Sequence, residues 1–288
     1  MPAAAEIPII MCAWMRIERM KITLDMLVRQ TDKHFHLYVW NNNIRIKKPL
    51  EKILFGEKHF FGISVRHSAK NLGGLARFVY ANQLRTSSVK PPFVIFIDDD
   101  VVFDHEMVAT LRREARLKTI HSFYAKRYVP EPKRYLDRLS VRGRGEADYC
   151  GTAGMIIDAS VFDQKELFSR LPSRYRFVED LWLSYYCSSA LGWKLLSSSA
   201  NFKIVHDGKD QWINFSANGR KDEFFSWLRS QGWLKSKSEL KMQTNRCDIG
   251  MDIRMLFSTG IGTYVREIAT GLMRRKRKYK VSLFGYPQ

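Results

Sequence analysis

No CxxC pair and no regular spacing occurs among the four cysteines, Cys12, Cys150, Cys187 and Cys247. That pattern excludes a disulfide framework and a cysteine-built zinc site, and fits reduced thiols in a cytosolic protein. Long apolar runs are missing too. Nowhere do about eighteen apolar residues follow one another, so no segment reads as a membrane-spanning helix. The opening residues, Met-Pro-Ala-Ala-Ala-Glu, lack the basic start and apolar stretch of a signal peptide. The expected location is cytoplasmic, with any membrane contact peripheral and at the inner face. Acidic residues are scarce: 29 Asp and Glu stand against 48 Lys and Arg, a net charge of +19. Such an excess calls for an anionic partner, whether nucleic acid, phospholipid or an anionic substrate. The basic residues gather in Arg112–Arg116, Lys126–Arg144 and Arg274–Lys280. Disorder is excluded, because 45% of the 288 residues are hydrophobic, enough for one large domain or two modest ones.

What is present is organised around Phe93–Phe103, Phe-Val-Ile-Phe-Ile-Asp-Asp-Asp-Val-Val-Phe. Five apolar residues, β-branched or aromatic, suit a strand buried on both faces. Asp98, Asp99 and Asp100 then stand where that strand leaves the sheet, which is where open α/β sheets bind ligands. Three adjacent carboxylates repel, and a hard divalent ion such as Mg²⁺ or Mn²⁺ relieves that repulsion while leaving positions for phosphate oxygens. A solvated acidic turn capping the next helix is the competing reading.

The segments before it alternate. Ile7–Ala13 reads as a first buried strand, Met20–Gln30 as a helix and Phe35–Trp40 as a second strand ending in the turn Asn41-Asn42-Asn43. Phe61–Val65 reads as a third strand, followed by Asn71-Leu-Gly-Gly-Leu-Ala-Arg77 and a helix through Leu84. Strand–helix–strand alternation with short turns argues parallel pairing with right-handed crossovers. His121–Gly145 lacks periodicity and reads as an irregular excursion. Met155–Ile157, Lys194–Ser197 and Asn201–Val205 read as later strands. Glu179 and Asp180 open a helix that carries Leu181 and Leu183 inward and Trp182 elsewhere on its surface. Phe224–Leu234 reads as a short aromatic helix.

Taken in order, the polar exit of strand one, the asparagines after strand two, Asn71–Arg77 and Ile97-Asp-Asp-Asp100 resemble a GT-A glycosyltransferase of the broad family-two group, over roughly residues 6–210. The resemblance implies an α/β fold, a mixed Rossmann-like sheet flanked by helices. It also implies an enzyme that moves a sugar from a nucleotide-diphosphate donor to a glycan or lipid-linked acceptor, with inversion, as in bacterial surface-polysaccharide synthesis. Asp98 and Asp100 match the family's Asp-x-Asp metal motif. Asp100 is implied as the direct ligand and Asp98 as a contact to the ribose or, through water, to the metal, with Asp99 between them at the nucleotide. Ala13 and Trp14 are implied beside the base, with Asn41 bonding the base or making the turn. Asn71, Gly73 and Arg77 fall where the family contacts nucleotide or diphosphate; the alternatives are a helix N-cap, an ordinary turn and a surface arginine. Gly151, Thr152, Gly154 and Glu179 are implied as lining the acceptor and sugar pocket. Glu179 and Asp180 match a family Glu-Asp pair, with Asp180 as the base that deprotonates the acceptor. His206 is implied as completing the shell of an Mn²⁺ or Mg²⁺ ion.

Residues 235–249 read as a linker. Met251–Phe257 as a strand, Ser258–Thr263 as a glycine loop, Tyr264–Leu272 as a helix and Lys280–Phe284 as a strand resemble the first β-α-β unit of a family-four, GT-B glycosyltransferase, here truncated. The domains expected are thus 1–234, with the GT-A fold, and 250–288. Two other readings compete: a metal-dependent nucleotidyltransferase or nuclease acting on nucleic acid, and a non-catalytic module binding glycans or a membrane surface. Glu179-Asp180 argues against the first and the intact Asp98, Asp100 and Asp180 against the second.

Overall fold

The computed structural model describes residues 6–205, 219–234, 247–252, 268 and 279–284. It divides into two compact units, Met1–Gln231 and Gly232–Gln288.

In the first unit, β1 (Ile7–Ala13), β2 (Phe35–Asn41), β3 (Gly62–His67) and β4 (Phe93–Phe96) run parallel in the order β3-β2-β1-β4. β1 is apolar on both sides because helices cover both. Ile7, Ile9 and Met11 share a core with Met20, Leu24 and Leu27 of α1 (Ile17–Val28) and Leu50 and Leu54 of α2 (Lys47–Phe55). On the other face Phe96 meets Phe78 of α3 (Leu75–Thr86) and Phe162, with ring centroids 5.8 and 5.6 Å away. α1 begins at Ile17, earlier than its apolar pattern suggests, at the exit of strand one.

Beyond β4 the sheet changes direction. β11 (Met155–Asp158) is antiparallel to β4 and to β6 (Thr119–Ser122), β12 (Lys194–Ser197) is parallel to β6, and β9 (Glu146–Ala147) closes the edge. The sheet is therefore mixed, as the family resemblance implied and not as strand–helix alternation alone suggested. The supposedly irregular stretch 121–145 holds strands: the end of β6, then β7 (Ala125–Tyr128) and β8 (Arg138–Ser140), which join β10 (Tyr149–Cys150) in a three-stranded antiparallel sheet. Short antiparallel strands of two to four residues are too brief to leave a period-two signature. β13 (Phe202–Ile204) pairs with β5 (Val101–Phe103) outside the main sheet. α4 (Met107–Glu114) and α5 (Lys165–Ser169) follow β5 and β11.

α6 (Glu179–Tyr185) opens where the Glu-Asp pair indicated, but Trp182 is core. Its indole Nε1 donates to Leu167 O (2.7 Å). The helix is hemmed in on several faces, so helical periodicity could not separate inside from outside. α7 (Arg220–Ser230) starts four residues before the aromatic pattern does; its Phe224 stacks on Tyr175 at 4.1 Å, so the helix packs back on this unit.

In the second unit, β14 (Cys247–Asp252) pairs in parallel with β15 (Tyr279–Phe284). β14 begins at Cys247, inside the stretch read as linker and four residues before the strand expected at Met251. Cys247, Ile249 and Met251 alternate in sequence with polar residues or glycine, a period-two pattern that a search for continuous apolar runs passes over. The glycine loop 258–263 lies outside the described residues, as does the helix expected over 264–272 apart from residue 268.

Candidate active site

The strand order reverses between β1 and β4, and crevices at such switch points are where α/β sheets bind ligands. Ile97 still pairs with β1, its N–H donating to Ile10 O (3.2 Å). The chain then leaves the sheet, so Asp98, Asp99 and Asp100 stand at the mouth of that crevice.

Each of the three carboxylates meets a guanidinium. Arg77, in the first turn of α3, donates through Nη1 to Asp98 Oδ1 and through Nη2 to Glu179 Oε1 (3.2 Å). It is no surface arginine: only 6% of it is exposed. Burial pulls its pKa down, and the neighbouring acids outweigh that, raising it above an already high ordinary value. One side chain thus ties the aspartate turn to the start of α6. Arg16 Nη1 lies 3.1 Å from Asp99 Oδ1 and 3.4 Å from Asp100 Oδ2, and Arg19 Nε donates to Asp99 O (2.6 Å). Burial pushes the Asp99 carboxyl up to about 6 even though Arg16 pulls it down. Burial likewise raises Glu179, against the pull of Arg77 and with a push from Asp180. The disagreement with the ion pair is physical: solvent loss outweighs one shared guanidinium.

The glycines of 71–77 serve this junction. Asn71 Oδ1 accepts from Gly73 N (2.8 Å), closing a tight turn, and does not cap the helix. Gly73 has φ +61°, and a Cβ there would lie 2.2 Å from the Phe177 ring. At Gly74 a Cβ would lie 1.6 Å from Glu179 Oε1. Both are glycine because the segment entering α6 presses on them. Cys12, at the exit of β1, sits under the same turn, Sγ to Gly73 O at 3.7 Å, and burial pushes its thiol up to about 12.

Asn41 is fully buried with both ends of its amide engaged: Nδ2 with His67 Nδ1 (3.0 Å) and Oδ1 accepting from Asn43 N (2.9 Å). Asn42 carries the long-range role, donating to Gly73 O (3.0 Å) and accepting from Leu72 N (3.0 Å). Ala13 is buried opposite Asn41 in the β1–β2 register, and Trp14 is half-buried, its carbonyl accepting from Asn43 Nδ2 (3.1 Å).

Asp180 points into a phenolic cluster. Tyr149 OH donates to Asp180 Oδ2, and Tyr135 OH donates to Tyr149 OH (3.3 Å). Arg138 stacks its guanidinium over Tyr135 at 3.7 Å and Tyr149 at 4.6 Å. Burial, helped by the Asp180 charge, raises Tyr149 well above an ordinary phenol, so it stays protonated and donates. Gly151 and Gly154 make room for protein rings: their Cβ positions would fall 2.8 Å from Tyr124 and 2.5 Å from Phe202. Thr152 is buried between them. His206 lies outside the described residues.

The fold thus brings together Asp98, Asp99, Asp100, Arg77, Gly73, Gly74, Glu179 and Asp180, with Asn71 in the adjoining turn. Sequence reasoning passed over Arg16, Arg19 and Tyr149, and named Asn42 only as part of the Asn41–Asn43 turn. Arg16 and Arg19, three apart just after strand one, were the available signal; Tyr149 gave none. Among the described residues no three His, Cys, Asp or Glu side chains are grouped to cage a metal. The donor chemistry instead fits a hard ion held by one or two carboxylates that takes its other ligands from phosphate and water.

No curated protein matches the chain. Among solved structures, mannosyltransferase PcManGT from Pyrobaculum calidifontis, in complex with GDP-Man and Mn²⁺, is similar at 11% identity and a TM-score of 0.50, over 78% of this chain and 64% of that one. S. aureus TarS 1-349 in complex with UDP-GlcNAc is 16% identical with a TM-score of 0.49, over 71% of this chain and 60% of that one. Against S. aureus TarS the chain spans 46% of the length, at 14% identity and a TM-score of 0.47. The family model described as glycosyl transferase family 2 matches residues 9–179, more than half of the chain. A mixed sheet with its switch point at the Asp98–Asp100 turn, and a family match running from β1 to Glu179, lead to one conclusion: this chain belongs to glycosyl transferase family 2 and has the GT-A fold.

Proposed function

We propose that the protein transfers a sugar from a nucleotide-diphosphate donor to a glycan or lipid-linked acceptor, with inversion and with a divalent metal. One observation carries this reading: Arg77 bridges Asp98 and Glu179, so the acidic turn and the Glu-Asp pair belong to one site. Asp98 and Asp100 would hold Mn²⁺ or Mg²⁺, which when bound offsets charge on the departing diphosphate. The Mn²⁺ and GDP-Man in the PcManGT complex support that choice. Arg77 and Glu179 hold the turn in place. Asp180 accepts the acceptor's proton while Tyr149, donating to its Oδ2, keeps the carboxylate oriented. Ala13, Trp14 and the Asn41–Asn43 turn border the crevice as the base subsite, and Gly151–Gly154 the sugar subsite. The family match favours this reading over the nuclease and over the binding module.

The basic surface suits anionic acceptors and a peripheral site at the membrane face in surface-polysaccharide synthesis; no helix of the described residues is long and apolar enough to cross a membrane. We read residues 250–288 as the opening of a second, GT-B-like domain, since parallel pairing of β14 with β15 demands a crossover connection between them.

The test is donor hydrolysis with Mn²⁺ across a panel of nucleotide sugars. Wild type is expected to hydrolyse one donor and Asp100→Ala none. Asp180→Asn should keep donor binding and lose transfer by about 10²–10⁴-fold. Equal hydrolysis with and without metal would overturn the metal assignment.

A further inference from the structure

The arm formed by β7, β8 and the chain between them has two faces. Arg138 lies opposite Tyr128 in the β7–β8 register and turns inward, over the rings of Tyr135 (3.7 Å) and Tyr149 (4.6 Å). Tyr149 donates to Asp180, so the inward face abuts the proposed base. Leu139 lies opposite Arg127 and points the other way, because successive side chains of a strand alternate. It is 68% exposed, and Leu136, three residues before it, is 63% exposed. Among the described residues Leu117 alone of the large apolar side chains is more exposed. A single exposed leucine calls for no explanation, but two of the three most exposed stand on this one short arm. Cations surround them: Arg127, Lys133, Arg134, Arg142 and Arg144 are all exposed. Lys126–Arg144 holds seven Lys and Arg against Glu131 and Asp137, a net charge of +5. Glu114, 3.4 Å from Arg144, lowers that excess to +4.

Apolar side chains ringed by cations match an anionic bilayer, where leucines enter the headgroup boundary and Lys and Arg stay level with the lipid phosphates. A nucleic acid would engage the cations and leave both leucines in water. An apolar groove on a protein would cover the leucines and leave the cations unanswered. We propose that Leu136 and Leu139 insert into an anionic lipid surface, held there by the cations of 127–144, and that the inward face of the same arm thereby keeps Asp180 at the sugar of a lipid-linked acceptor. The proposal rests on the glycosyltransferase reading with Asp180 as base, and it commits the acceptor to the lipid-linked class.

Co-sedimentation of the full chain with phosphatidylglycerol vesicles, and with phosphatidylcholine vesicles for comparison, tests it. Binding is expected to phosphatidylglycerol, and to weaken as salt is added. Replacing both leucines, Leu136→Glu with Leu139→Glu, should weaken it at least about tenfold, less than the worth of burying two leucines, and leave donor hydrolysis unchanged. Arg142→Glu should act in the same direction. The control is Phe55→Glu. Phe55 is 54% exposed and ends α2, which leads into β3 at one edge of the main sheet, whereas Arg127 of the arm donates to Glu146 O of β9 (2.5 Å) at the other. Phe55→Glu and Asp180→Asn should bind vesicles as wild type. Unchanged binding in the double leucine variant, with unaltered circular dichroism, would overturn the proposal and leave any vesicle affinity to other basic stretches such as Arg274–Lys280. So would equal binding to both lipids, an equal loss in Phe55→Glu, or binding of a DNA duplex without binding of vesicles. If vesicles bind as expected while no donor is hydrolysed, the functional reading falls and the lipid-facing arm stands; hydrolysis without vesicle binding removes the arm's role alone.

Discussion

Two sides of the same site hold their acids by different means. On the side proposed for the donor, Asp98, Asp99 and Asp100, together with Glu179, face Arg77 and Arg16 across charged contacts, and burial still leaves Asp99 and Glu179 with raised pKa values. On the side proposed for the acceptor, Asp180 accepts from a neutral phenol with the charge of Lys221 also near it, and the nearby Arg138 stacks on ring faces. The contrast has a chemical logic. A cluster proposed to meet a diphosphate and a cation needs its charges fixed in advance and cross-linked, because any rearrangement would cost reorganisation at the moment of reaction. A carboxylate proposed as a base must be oriented, and the Tyr149 phenol orients Asp180 without itself bringing a charge. A further acid, Glu114, combines the two means: it accepts from the Ser198 and Ser199 hydroxyls, both at 2.5 Å, and from Ser199 N at 2.9 Å, with Arg144 Nε 3.4 Å away. Those bonds hold its pKa below the ordinary value against the opposing effect of burial.

The sharpest way to break the comparison is Arg77→Met. It would strand Glu179 without its cation, and unfolding in urea should show a loss of about 3–5 kcal/mol, the range for breaking a buried pair from one side. A loss below about 1 kcal/mol would mean the donor side is not held by charge. Gly74→Ala comes next. Its methyl would meet the Glu179 carboxylate, so we expect a loss of about 1–3 kcal/mol and weaker donor hydrolysis from the displaced pair. Gly74 has φ −66°, so the loss would come from the clash and not from backbone strain. Tyr149→Phe should cost about 1 kcal/mol of stability, lower the transfer rate and shift its pH profile, while donor hydrolysis changes little. Equal effects on hydrolysis and transfer would show that the two sides act as one.

The smallest expected effect concerns His121, close to Glu114. Burial, with help from Arg116 and Arg144, holds its pKa below the ordinary 6.5 despite Glu114. Neither ring nitrogen has a hydrogen-bond partner among the described residues. Below about 6.5 the unfolded chain takes up a proton that the folded one resists, so stability falls as the pH drops through that window. The urea midpoint of His121→Leu should vary less between about pH 5 and pH 7 than that of wild type. Identical slopes would remove His121 as a source of acid sensitivity.

Amphipathic and buried-strand patterns are local, and local patterns were enough to mark β1, β2, β4 and α3 and to set the acidic turn at the end of a strand. Residue order also carried the family, because the spacing from Ile9 through Asp98–Asp100 to Glu179 is itself a linear signal. Three things needed the tertiary structure. Arg77 could be a surface arginine or a bridge, and only the approach of α6 made it a bridge. Gly73 and Gly74 could be a turn or a phosphate cradle; the ring of Phe177 and the carboxylate of Glu179, about a hundred residues away, occupy the space a side chain would need. Tyr149 could not be singled out at all, since its phenol acquires meaning only when β10 lies beside the first turn of α6. Hydrophobic periodicity reports what each segment does with its own neighbours, whereas ion pairs and hydrogen bonds across long sequence separations depend on which segments the completed sheet brings together.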